Sequence, residues 1–200
     1  HGVYAKFLLE EGLACEIVLL DFNPYMLKYA AAFLRDFSDT THLVQADISW
    51  LPFRDCAFPL VLAEGDSLTQ RESREDVEKS IEEVVRVLRR RGKLIGSVSN
   101  LYGRLLSSIC KARTPEELDE ALGILKLRAL SVSSRAGTGI IQLYTPEEFS
   151  QALTAKGLVV KSVNPLIVFA HTLPRDMLPK CVETIVRLER RLLMTLTLQA

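Results

Sequence analysis

One stretch restricts the possible folds of this chain more than any other: Glu16-Ile17-Val18-Leu19-Leu20-Asp21-Phe22-Asn23-Pro24-Tyr25-Met26-Leu27. It reads as an apolar strand that ends on a carboxylate and turns directly into a helix. Pro24 suits the first helical turn, where its missing N–H costs nothing, and Asn23 is a natural cap. In a parallel α/β sheet, ligands lie just beyond the carboxyl ends of the strands. An acid at that point can accept hydrogen bonds from both hydroxyls of a ribose. Asp21 also follows Gly2 by nineteen residues, close to the spacing between a glycine-rich turn and its ribose carboxylate in nucleotide-binding βαβ units. These features point to a chain built to hold a nucleoside.

The rest of the first half alternates in the same way. Residues 2–11 read as a helix with Val3, Tyr4, Phe7 and Leu8 on one face. Strands are expected at 15–21, at 42–46 before Asp47, and at 58–63, with a helix over 24–36. Such continuous apolar runs suit strands covered on both faces. Residues 73–91 carry Val77, Ile81, Val84, Val85 and Leu88 at helical spacing. Gly92 would end that helix, and 93–99 would return as a strand. The alternation predicts a single α/β domain with a doubly wound, mostly parallel sheet.

From Leu101 the alternation stops. Helices are expected over 102–111 and 115–130, with Ala136-Gly137-Thr138-Gly139 as a flexible joint. Residues 101–138 thus form a helical insertion placed to cover whatever binds at the preceding strand end. A short extended run at 140–144 follows, then Thr145-Pro146-Glu147-Glu148, a capping box opening a helix to about Lys156. A strand is expected at 158–163. Asn164-Pro165 leads into 166–170, and a final helix runs over 175–196.

Composition narrows the partners. Twenty-five basic residues balance twenty-five acidic ones, so the chain has no general attraction to nucleic acid or anionic lipid. Arg86 with Arg89-Arg90-Arg91 reads as the solvated end of a helix, where cations complement the dipole. Cys15, Cys56, Cys110 and Cys181 form no CxxC pair. They are expected to be buried, reduced thiols of a cytoplasmic protein rather than disulfides or metal ligands. No run reaches membrane-spanning length. A small molecule is the expected partner, and a homodimer is compatible with the composition.

The chain resembles the class I S-adenosylmethionine-dependent methyltransferases, most specifically over residues 2–100 and 144–163. "LLDFNPYML" resembles the family's second-strand motif, which implies that Asp21 binds the ribose hydroxyls and that Phe22 and Met26 line the adenosine. "QADISWLPF" is similar to the third-strand motif, which would bring Asp47 to the adenine amino group and Ile48 to the ring. "FPLVLAEGDSLTQ" resembles the fourth strand and the loop beside the sulfonium. Glu64 and Gly65 would lie at the donor there, with Asp66 as the candidate general base and Ser67 toward the acceptor. Gly2 resembles the last glycine of the family's turn, with Tyr4 next to the cofactor. "LYTPEEFSQALTAKGLVVKSV" matches the late helix and strand of small-molecule members, and Tyr102 and Tyr144 are the candidate substrate aromatics. The fold implied is Rossmann-like and the cofactor S-adenosylmethionine. The resemblance also implies that the family's first strand precedes His1 and that its last strand follows Ala200, so the chain is expected to be cropped.

Two departures from the pattern stand out. Pro59 occupies a position where many members have aspartate, and Arg90-Arg91-Gly92 replaces a Pro-Gly-Gly turn. The reading is therefore methyl transfer to an unidentified small molecule. A non-catalytic methyltransferase-like module that binds a nucleoside or a partner is the alternative. A nicotinamide-dependent oxidoreductase is disfavoured by the acidic third-strand loop and the late Thr-Pro-Glu-Glu helix.

Overall fold

The charged helix expected after residue 73 forms because its two faces have different tasks. Ser73 caps it, accepting from the Asp76 N–H at 3.1 Å and donating to Asp76 Oδ2 at 2.7 Å. That hydroxyl bond holds the Asp76 carboxyl below its ordinary range. The helix buries Val77, Ser80, Ile81, Val84 and Val87. The computed structural model describes residues 2–134 and 137–164. His1, Ala136, Cys181, His171, the segment expected at 166–170 and the final helix lie outside the described residues.

In chain order the elements are α1 (Val3–Glu10), β1 (Ile17–Asp21), α2 (Pro24–Phe33), a 3-10 stretch (Arg35–Thr40), β2 (Thr41–Gln45), β3 (Phe58–Ala63), α3 (Arg74–Val87), β4 (Leu88–Gly96), α4 (Leu101–Lys111), α5 (Pro115–Leu127), β5 (Ala129–Ser134), β6 (Gly137–Gln142) and α6 (Pro146–Ala155). They fall into two units. One comprises His1–Ser97 with Ser131–Ile140, the other Val98–Leu130 with Ile141–Ala200.

In the first unit β1 and β2 are parallel, with Asp21 opposite Gln45. β3 and β4 are also parallel, with Ala63 opposite Gly96. Among the described residues these are separate pairs, so β1 and β3 are each hydrogen-bonded along one edge. Helix α2 packs on β1 and β2, and α3 on β4. Leu43, Leu60, Leu62 and Ile95 remain exposed, so the described residues do not cover these strands on both faces as their apolar runs suggest.

Helix α3 ends at Val87, four residues before the expected Arg91. Sheet pairing overrides helix propensity there, because Leu88 is drawn opposite Phe58. The register then jumps from Phe58–Leu88 to Leu60–Lys93, and Pro59 sits at the jump. Proline has no N–H to give to a ladder and is tolerated in sheets only at edges and irregularities. Arg91 takes φ +64° in the extra loop. A Cβ on Gly92 would stand 2.8 Å from the Arg89 carbonyl oxygen, so glycine is required. The basic cluster at 89–91 therefore lies in a bulged strand and not at a helix end; only Arg86 keeps the last-turn position.

In the second unit, side-chain caps define the helices. Asn100 accepts from the Tyr102 and Gly103 N–H groups, Thr114 from Glu117, and Thr145 with Glu148 forms the reciprocal capping box. Asn100 and Tyr144 form a parallel bridge, and Leu101, Ala121, Ile124, Ile141, Leu143 and Tyr144 are buried. Glu148 also pairs with Arg128 at 2.5 Å. The segment 101–138 is helical only as far as Leu127. Arg128 ends α5 in the left-handed region at φ +52°, and the following residues pair as β5 and β6. Gly137 to Gly139 therefore belong to a strand and not to a joint. Residues 158–163 form no strand.

Cys15, Cys56 and Cys110 are free but exposed, so the expectation of buried thiols fails for them. Each lies in a turn or at a helix end, outside the apolar stripes. Among the described residues no helix is long and apolar enough to cross a membrane.

Candidate functional site

The parallel register of β1 and β2 carries Asp21 and Asp47 to the same, carboxyl end of that pair. Both acids use one local device. Asp21 Oδ1 accepts the Asn23 N–H at 2.9 Å, and Asp47 Oδ1 accepts the Ser49 N–H at 2.7 Å. Each is an Asx turn, which bends the backbone off the strand and fixes the carboxylate by one oxygen. The helix cap next to Asp21 is Asn23, whose Oδ1 accepts from Tyr25 N at 2.9 Å. Asp21 is thus not the capping group of α2.

Around these acids, Phe22 is exposed, and its carbonyl accepts from Gln45 Nε2 at 3.2 Å. Met26 and Ile48 are half-buried and Tyr4 is exposed. Gly2 precedes α1 at φ +81°, and a Cβ there would meet Leu34 Cδ1 at 3.0 Å. The left-handed conformation therefore favours glycine at this position, and a larger residue would also press on the Leu34 side chain.

The ends of β3 and β4 are tied to each other. Ser97 Oγ donates to Glu64 Oε2 at 2.5 Å and accepts the Gly65 N–H at 2.9 Å. The Asp66 N–H donates to the Ser97 carbonyl at 3.1 Å. Gly65 and Asp66 both take left-handed backbone, at φ +67° and +65°. The loop closes with Ser67 Oγ donating to the Glu64 carbonyl at 2.6 Å. The Asp66 carbonyl accepts the Thr69 and Gln70 N–H groups, while Asp66 Oδ1 accepts Thr69 Oγ1 at 3.3 Å.

Two contacts tie the segment after β2 to the segment after β3 at this end. Arg71 Nη2 lies 3.3 Å from Asp47 Oδ1, and Ser49 Oγ meets Ser80 Oγ at 3.1 Å. The carboxyl ends of β2 and β3 therefore converge, and Gly2, Asp21, Asp47 and the 64–67 loop all belong to the first unit. Tyr102 and Tyr144 belong to the second. Tyr102 is exposed in the first turn of α4, and Tyr144 is buried with its ring edge-on to Phe149 at 5.4 Å.

The loop after Asp47 is clamped from α3. Arg86 donates to the Leu51 and Phe53 carbonyls and to Asp55 and Glu83. Glu83 Oε2 in turn accepts the Leu51 N–H at 2.7 Å. The Arg86 hydrogen bond, with help from Leu51, holds the Glu83 carboxyl below its ordinary range. Residues 71, 80 and 97 escaped the sequence reading. Ser97 was open to discovery as the polar residue just past a strand, whereas Arg71 and Ser80 carry no motif.

Residues 1–96 match the family model of the methyltransferase domain. Solved structures share the fold. An S-adenosylmethionine-dependent methyltransferase from Mesorhizobium loti aligns with TM-score 0.62 and 17% identity, covering 94% of this chain and 82% of that one. One from Clostridium acetobutylicum gives 0.54 and 16%, covering 80% and 70%. The PH0226 protein of Pyrococcus horikoshii gives 0.56 and 20% over 76% of this chain, which spans 66% of that protein's length. No curated protein matches the sequence.

These observations define the class: a Rossmann-like α/β fold of the methyltransferase type. The first 96 residues carry the methyltransferase-domain pattern, and the chain shares its fold with S-adenosylmethionine-dependent methyltransferases.

Proposed function

We propose that this domain binds S-adenosylmethionine at the carboxyl ends of its parallel strands and transfers the methyl group to a small-molecule nucleophile. The observation that carries the reading is the pair of strand-end carboxylates, Asp21 and Asp47, each pinned through Oδ1 by its own Asx turn. Carboxylates are pure acceptors, and ribose hydroxyls and an adenine amino group are all donors, so the chemistry of the two sides fits. Asp21 takes the hydroxyls, Asp47 the amino group, and Phe22, Met26 and Ile48 supply apolar surface to the base. Gly2 and Tyr4 lie at the start of α1 beside the donor, and Glu64 and Gly65 hold its charged end.

The bound sulfonium supplies a methyl group already activated for transfer. The remaining work is alignment: a positioned nucleophile can save about 7–11 kcal/mol at best. The chain's own part would be to hold the nucleophile in line with that methyl group and its carbon–sulfur bond, so that the departing sulfur would leave as a neutral thioether. Asp66 accepts the nucleophile's proton where it arrives protonated, and Ser67 lies next to it on the acceptor side.

The test is calorimetry of the chain with S-adenosylmethionine, S-adenosylhomocysteine and NAD, followed by transfer of labelled methyl to a small-molecule panel. Binding of the first two and not of NAD is expected. Binding without any transfer would favour the non-catalytic module, and no binding of either sulfur nucleoside would end the reading.

A further inference from the structure

Arg71 occupies an unusual position for a loop arginine. Its side chain is only 16% exposed, and its guanidinium reaches Ser80, Gln70 and Asp47. Nε donates to Ser80 Oγ at 3.0 Å, Nη1 to the Gln70 carbonyl at 3.3 Å, and Nη2 pairs with Asp47 Oδ1. Ser80 is the second peculiarity. It lies fully buried within the apolar stripe of α3, where a hydroxyl costs desolvation unless it is bonded. Its Oγ donates to the Asp76 carbonyl at 2.9 Å and meets both Arg71 and Ser49. A helix core thus fixes a serine, the serine fixes a guanidinium, and the guanidinium reaches the carboxylate after β2.

We infer that Arg71 is the positioning residue that orients Asp47 and so sets selectivity for a six-amino purine. The role rests on the nucleoside-binding reading above. Among the described residues, both side-chain contacts of Asp47 fall on Oδ1, from Ser49 N and from Arg71. One hydrogen bond and one ion pair on the same oxygen orient the carboxylate and leave Oδ2 as the acceptor for an exocyclic amino group. A six-oxo base would set an oxygen against that oxygen and be rejected. With Arg71 gone, Asp47 is held by Ser49 N alone and can swing. Lysine cannot replace it, because one ammonium does not reproduce the planar fork that spans Ser80, Gln70 and Asp47 together.

The experiment compares S-adenosylhomocysteine with S-inosylhomocysteine, its six-oxo counterpart, by calorimetry on the full chain. The parent is expected to prefer the amino form by about tenfold or more, the scale of one charge-assisted hydrogen bond. Arg71→Ala and Arg71→Lys should both bring that ratio close to one, chiefly by weakening the amino ligand. Ser80→Ala, which keeps the arginine and suits a helix, should lower the ratio partway. A purely structural Arg71 would weaken both ligands equally and leave the ratio unchanged, which would overturn the role. A parent that prefers the amino ligand alongside an Arg71→Lys variant with the same preference overturns it as well. If the parent binds neither ligand, the nucleoside reading falls and takes this role with it.

Discussion

Ser97 Oγ donates to Glu64 Oε2 at 2.5 Å while accepting the Gly65 N–H at 2.9 Å, so one hydroxyl locks the ends of β3 and β4. In the proposed function this lock presents Glu64 to the charged end of the donor. Ser97→Ala removes two hydrogen bonds, the neutral one of about 0.5–1.5 kcal/mol and the one to the Glu64 carboxylate of about 1.5–3 kcal/mol. The expected result is a KM for S-adenosylmethionine raised about tenfold or more, with kcat less affected. Steady-state kinetics at saturating acceptor measures it, and an unchanged KM would detach the loop from donor binding.

Asp21→Ala should reduce affinity for S-adenosylhomocysteine strongly. Each hydrogen bond to a charged group is worth about 1.5–3 kcal/mol, or roughly ten- to a hundredfold. The Asn23 cap is independent of Asp21, so α2 should survive the change and circular dichroism should match the parent. Calorimetry decides: undiminished affinity removes Asp21 from the ribose.

Gly65 and Asp66 separate conformation from chemistry. Nothing lies within 4 Å of a Cβ added at Gly65, so Gly65→Ala should cost only the strain of left-handed backbone, about 1–2 kcal/mol. Asp66→Asn keeps a side chain that tolerates φ > 0 but cannot accept a proton. It should fold like the parent and lower kcat by about a hundredfold or more if Asp66 is the base. Unaltered kcat at every pH would leave Asp66 with a conformational role alone.

The clamp behind Asp47 should fail in acid. Glu83 titrates lower in the folded protein than unfolded, because Arg86 and then Leu51 hydrogen-bond its charged form. Its contribution to stability is therefore complete above the ordinary glutamate range and is lost as pH falls through the lowered folded value. Glu83→Gln should flatten this part of the acid limb of a stability-against-pH curve. Amide exchange at residues 51–56 should quicken in the same variant. A curve that keeps the parent's acid slope would show that Glu83 does not carry it.

Much of this molecule was legible in local patterns. Asn23-Pro24, Ser73, Thr114-Pro115 and Thr145-Pro146-Glu147-Glu148 mark helix starts, and each forms as its cap chemistry requires. β3 begins and ends where its apolar run does. These features depend on side chains reaching backbone groups within a few residues, so sequence order alone specifies them.

Other features depend on distant segments. Helix α3 stops at Val87 because Leu88 meets Phe58, thirty residues away in sequence. Residues 129–130 leave the expected helix because they belong to β5, which pairs with β6. The meetings of Arg71 with Asp47 and of Ser97 with Glu64 follow from which strand ends the sheet pairing brings together. Periodicity and capping determined where the helices begin, the extent of β3 and which acids stand at the ends of β1 and β2. Only the tertiary structure decided which polar groups share those ends, because hydrogen bonds between residues far apart in the chain leave no local spacing to read.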